Sequence, residues 1–254
     1  MPSVNGTRAR PQSAATERCA DCPIRHRAVC SDCGEDQLQV LEGIKFYRHF
    51  QPGQEIVAAG EETGVLGSVV EGVVSLSKTM ADGRRQMVGL MFPSDFLGRP
   101  GSPVAPYDAV AVSEVTMCLF TRQQFERLLR ETPALEQRLL EMMLHELDAA
   151  RDWMLLLGRK TAQEKIATFL TILARRSAAV HREEAFDGIR VALPLTREAI
   201  ADYLGLTIET VSRQISALRK SGVIALEDAR HLRIDDFARL LDAAGEDADG
   251  GLVA

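Results

Sequence analysis

Residues 195–224 read LTREAIADYLGLTIETVSRQISALRKSGVI, and this run decides how the rest of the chain is divided. Two short amphipathic segments meet at Gly205. Thr196 precedes the first and Thr207 the second, and a threonine hydroxyl accepts a backbone N–H at a helix start. Ala201, Gly205 and Val211 fall where two crossed helices need a small side chain, a left-handed backbone position and an apolar lock. The spacing predicts a helix-turn-helix. Glu209, Ser212 and Arg213 stand three and four residues apart on the second helix, and so share one face. Arginine can bond guanine twice, glutamate accepts from the cytosine amino group and serine reaches base edges, a set suited to double-stranded DNA. Thr210, Gln214, Arg219 and Lys220 lie ready for phosphates or neighbouring bases. VIALEDARHLRI, immediately downstream, reads as a hairpin wing offering Arg230, His231 and Arg233 to the DNA backbone.

Upstream, TAQEKIATFLTILARRSAAV (161–180) has the period of an amphipathic helix, and a longer helical pattern occupies 134–160. Within it Leu140, Met143, Leu147, Ala150, Met154 and Leu157 repeat at alternating intervals of three and four, a heptad seam. Such a seam can face the chain's own core. A long helix joining two domains has little of its own chain to cover it, however, so the spacing favours a homodimer helix. Glu141, Glu146, Asp148 and Asp152 flank the seam, and like charges there keep the pairing weak and switchable. From Phe46 to Phe120, short apolar runs alternate with glycines, the texture of an antiparallel sandwich or barrel, with Asp82-Gly83 as a hairpin turn.

The expected class is therefore α+β. Residues 1–18 form a flexible tail, 19–34 a cysteine segment, 35–130 an antiparallel β-domain and 134–160 the dimerisation helix. Residues 161–240 form the winged helix-turn-helix, and 241–254 a flexible tail. The 254 residues are 46% hydrophobic and 26% charged, enough for two modest cores. A net charge of -6 means that nucleic acid must be met by a local basic surface. No apolar run is long enough to span a bilayer, and the N-terminus lacks a signal-peptide core, which points to the cytoplasm and to no membrane partner.

In that compartment thiols stay reduced, so the dense group in CADCPIRHRAVCSDCG (19–34) suggests a metal or a redox sensor. Cys19, Cys22, Cys30 and Cys33 form C-x2-C-x7-C-x2-C, which can close around zinc unaided; Cys118 stands far away in VTMCLF. Soft thiolates suit zinc and iron-sulfur centres alike. No nucleophile elbow, P-loop or dinucleotide glycine pattern occurs, and no histidine lies between residues 50 and 144, so neither an enzyme nor a haem sensor is expected.

The order of parts resembles the Crp-Fnr superfamily of bacterial transcription regulators, and within it the Fnr subfamily, the oxygen-responsive regulators of anaerobic metabolism. The likeness covers about residues 19–240 and implies that residues 35–130 are a β-roll sensor domain of the cyclic-nucleotide-binding type. It is sharpest in the N-terminal cysteines, the isolated Cys118, DWMLLLGRKTAQEKIATFL and LGLTIETVSR. It implies a 4Fe-4S cluster held by Cys19, Cys22, Cys30 and Cys118, with Cys33 as a substitute ligand, whose reaction with oxygen releases the dimer. It also implies Glu209, Ser212 and Arg213 as readers of palindromic sites with TTGAT-type half-sites, and RNA polymerase as a partner, with TMADGRRQM (79–87) a candidate contact. The alternative is a zinc-stabilised or thiol-redox regulator with the same DNA-binding end. The superfamily's cyclic-nucleotide site resembles a Gly-Glu pair with an Arg-Ser pair; here Gly98 precedes Arg99 and PYDAVAV has no Arg-Ser, so that effector is not expected.

Overall fold

The computed structural model describes residues 18–180 and 184–245. Most of the two expected tails, 1–17 and 246–254, lies outside the described residues. A 3-10 turn at Cys19–Asp21 opens the described chain, followed by helix α1 (Glu35–Ile44). Two four-stranded antiparallel sheets form the β-domain. One has the order β1 (Lys45–Phe50), β8 (Val115–Thr121), β3 (Val65–Glu71), β6 (Phe96–Leu97); the other has the order β2 (Glu55–Val57), β7 (Asp108–Ala111), β4 (Val74–Thr79), β5 (Arg85–Met91). Alternation decides which side chains fill the space between them. On β8, Val115, Met117 and Leu119 enter the sandwich core, whereas Phe120 joins a different core on the outer face, beneath α1. The β4–β5 turn is a hairpin closed by Gly83, as its Asp-Gly pair predicts.

Helix α2 (Arg122–Glu131) leads into α3 (Pro133–Arg159), whose start corrects the expected boundary by one residue. Pro133 is itself the first helical residue, where a missing N–H costs nothing. Helix α4 (Ala162–Val180), strand β9 (Arg190–Ala192), α5 (Arg197–Leu204), α6 (Ile208–Lys220), β10 (Ile224–Leu226) and β11 (His231–Ile234) complete a winged helix-turn-helix. A last helix, α7 (Phe237–Ala244), carries on past residue 240, where a flexible tail was expected to begin. Asp236 caps it, and Leu240 and Ala244 bury themselves in the C-terminal core against α4. The α+β class and the two-domain order are as the sequence indicates.

The two domains share packing. Phe92, just beyond β5, lies in the same core as Trp153 of α3 and Tyr203 of α5, and those two rings stack with centroids 4.0 Å apart. Gln86 of β5 donates to the Asp202 carbonyl at 3.0 Å. The β-domain, the long helix and the helix-turn-helix are therefore in direct contact within one chain.

Candidate functional site

At the reading end, the Thr196 and Thr207 hydroxyls accept from the N–H groups of Ala199 and Thr210, the expected caps of α5 and α6. Gly205 sits at φ 63, ψ 44, a left-handed conformation that ends α5 without a Cβ penalty. Val211, Ile215 and Leu218 bury one stripe of α6. The opposite stripe, with Glu209, Ser212 and Arg213, is exposed, and Thr210 and Gln214 are half-buried at its edge. Arg213 donates to Thr210 Oγ1 at 3.1 Å rather than pairing with Glu209. The α6 N-terminus and Thr207 hold the Glu209 carboxyl below its ordinary pKa. The wing cations are less available than their sequence suggests. Arg230 donates to the Pro194 carbonyl at 3.0 Å, His231 meets Asp228 at 2.8 Å, and Arg233 pairs with Asp235.

The predicted seam of α3 divides into two groups. Leu140, Leu147 and Met154 are 59%, 46% and 73% exposed, and Ala150 is exposed with them. Met143 instead packs toward the cysteine-side core and Leu157 toward the C-terminal core. Leu144 and Leu155, which the strict heptad passed over, are 51% and 49% exposed and widen the uncovered stripe.

At the opposite end of the chain, all five cysteines are free thiols. Cys118 occupies β8 between Tyr47 of β1 and Ser68 of β3, central in its sheet. Gly67 makes the close approach there feasible, because a Cβ at that position would stand 2.1 Å from the Cys118 carbonyl oxygen. Alternation turns Cys118 away from the sandwich interior, toward the cores that contain Cys19, Cys22, Cys30 and Cys33. Burial pushes all five thiols up, Cys30 and Cys118 to about 12. After burial, the sulfurs acting on Cys118 are Cys19, Cys22 and Cys30; Cys33 instead senses Arg25 and Asp32 before Cys19. Cys33 also acts on Cys30 and packs in one core with Cys19, Cys30 and Cys118, so it belongs to the same group.

Two cations that motif reading passed over frame this group. Burial opposes the Lys45 ammonium, but Cys19, Tyr47 and Cys118 more than offset it and raise its pKa. Arg25 partly opposes the upward shift of Cys22, Cys30 and Cys33 and donates to the Cys33 carbonyl at 2.9 Å. Lys45 follows α1 directly and Arg25 lies between the cysteines, so only the fold shows that both act on the sulfurs. A bound metal centre deprotonates its thiol ligands outright, whatever burial does to the free thiols. Four soft donors with two cations beside them fit a cluster of net negative charge. Among the described residues, no three His, Cys, Asp or Glu side chains are placed to hold a single metal ion. The sulfurs are gathered without converging on one point.

Two family models match this chain. A Crp-like helix-turn-helix domain covers residues 164–243 and a cyclic nucleotide-binding domain covers 47–132. The chain is 58% identical to the transcriptional activator protein FnrL of Cereibacter sphaeroides, over 92% of its own length and 95% of that protein. The chain belongs to the Fnr subfamily of the Crp-Fnr regulators. It is 30% identical to the fumarate and nitrate reduction regulatory protein of Escherichia coli, over 89% of this chain and 90% of that one. The structure of FixK2 from Bradyrhizobium japonicum superimposes with a TM-score of 0.71 at 34% identity, covering 81% of this chain and 98% of that one. The Fnr-type chain is thus a transcription regulator with a DNA-binding helix-turn-helix, and not an enzyme. A cleft in its β-domain is lined mainly by apolar side chains such as Val57, Val104, Pro106 and Tyr107, and Arg99 is the one charged residue in that lining.

Proposed function

We propose that this protein is an oxygen-responsive transcription activator in which Cys19, Cys22, Cys30 and Cys118 hold a 4Fe-4S cluster. The observation that carries this is the outward turn of Cys118, which brings it within electrostatic reach of those three N-terminal thiols and of Lys45. When bound, such a cluster supplies an oxygen-labile cross-link between the N-terminal segment and the β-domain. A zinc clamp on Cys19, Cys22, Cys30 and Cys33 leaves the placement of Cys118 without a purpose.

The chain's own residues do the rest. Met143 of α3 packs against the core that includes Cys19 and Cys33, so order in the cysteine segment supports the helix that carries Leu140, Leu147 and Met154. A second copy of the chain is the natural cover for that stripe, each buried Leu or Met contributing about 1.5–3 kcal/mol. Two α6 helices then meet two half-sites of a TTGAT-type palindrome, the second binding at high effective concentration. RNA polymerase is the partner that activation requires, and the β4–β5 hairpin, with Met80 exposed at its tip, is a candidate contact in the cytoplasm. The test is binding to a labelled palindromic duplex by protein kept without oxygen and by the same sample after air. Tight binding lost on exposure is the expected result; equal affinity in both states overturns the proposal.

A further inference from the structure

The loop between Cys22 and Cys30 touches more than the β-domain. His26 Nε2 lies 3.1 Å from the carbonyl oxygen of Ala179, near the end of α4. A carbonyl only accepts, so Nε2 carries the proton, and the buried Nδ1 then has no partner among the described residues. One residue on, the Arg27 carbonyl accepts from Arg138 of α3 at 2.9 Å. Asp95, in the loop before β6, pairs with Arg176 of α4 at 2.9 Å and also acts on the Arg27 guanidinium. Arg176 lies over the Phe92 ring, 5.5 Å from its centroid. Ser94 stands at φ 86, a left-handed value that strains a residue with a Cβ, and this strained turn presents Asp95 to both arginines. Cysteine loop, β-domain, α3 and α4 therefore meet at one point.

We infer that His26 is a positioning residue, through which the state of the sulfur site reaches the DNA-binding domain directly as well as through dimerisation. The inference rests on the reading of the cysteines given above. When Cys22 and Cys30 are both held, residues 23–29 are pinned at their two ends, and the entropy of ordering His26 is already spent. When the sulfurs let go, the loop must be ordered anew for the same contact, so the contact weakens. Helix α4 is the right receiver, because it packs against both α6 and α7. One hydrogen bond of about 1 kcal/mol corresponds to about fivefold in DNA affinity, below the effect of losing the dimer.

The test compares wild type, His26→Ala and His26→Gln as full-length protein prepared without oxygen, and reads the visible spectrum, dimer content, DNA affinity and Trp153 emission. Trp153 is the only tryptophan, and its stack on Tyr203 reports how α5 sits on α3. Expected for His26→Ala are an intact chromophore and dimer, about fivefold weaker DNA binding and altered Trp153 emission. His26→Gln, whose amide can still donate to Ala179, restores both readouts. After air exposure the difference between His26→Ala and wild type disappears. A brown, dimeric His26→Ala with wild-type affinity and emission overturns the inference. A colourless wild type instead overturns the cluster reading. If His26→Ala itself is colourless, Arg176→Met decides from the α4 side: unchanged affinity and emission there overturn the inference, and weakened binding with intact colour supports it.

Discussion

The DNA-reading end and the cysteine end of this chain are built by opposite means. The helix-turn-helix is local: its caps, its left-handed glycine, its buried stripe and its polar stripe all lie within residues 195–224, at intervals fixed by the helical repeat. The sulfur site is assembled over a distance. Three of its proposed donors come from one irregular segment, and the fourth comes from the middle strand of a sheet, aimed outward by strand alternation and admitted by Gly67. A local site tolerates change elsewhere in the chain, whereas an assembled one fails when any one contributor moves.

That contrast orders the expected effects. Cys118→Ser has the largest: iron, anaerobic dimer and DNA occupancy are lost together, with affinity falling roughly 100-fold or more once the half-sites are read singly. Metal analysis and sedimentation check it, and a variant that keeps both iron and dimer breaks the contrast. Leu147→Glu comes next. It places a charge in the exposed stripe far from the sulfurs, so the chromophore stays while the dimer dissociates and DNA affinity drops roughly tenfold to 100-fold. Arg213→Ala is smaller and purely local: about 1–3 kcal/mol of DNA binding and relaxed choice at one base position, measured in a competition assay, with colour and dimer unaffected. Thr207→Ala removes the α6 cap and lowers the stability of the DNA-binding domain by about 1 kcal/mol in thermal unfolding. Cys33→Ser has the least effect, leaving iron content and oxygen response as in wild type. A colourless Cys33→Ser would move the third N-terminal ligand from Cys30 to Cys33.

What could be read in the sequence follows the same division. Thr196, Gly205, Thr207 and Val211 act within a few residues of their partners, so their spacing alone announces the fold of that end. The α3 seam was legible as a repeat, but a repeat does not say which of its members the chain covers itself. Met143 and Leu157 turn toward its own cores, while Leu144 and Leu155 stay exposed. Helix α7 was hidden because its apolar face is only two turns long and is recognisable only against α4. At the sulfur site the donor residues were visible and their surroundings were not. Lys45, Arg25 and the reach of His26 to Ala179 depend on long-range packing that no local spacing records. The wing arginines erred the other way, since a basic residue looks free in sequence until its carbonyl or carboxylate partner is located.

The most direct test of the account is the iron and acid-labile sulfide content, with the visible absorption spectrum, of protein purified without oxygen and then exposed to air. The account predicts about four irons and four sulfides per chain and a brown chromophore that bleaches in air. One tightly held zinc per chain, with no air-dependent spectrum, would contradict it and leave the N-terminal cysteines as a structural clamp.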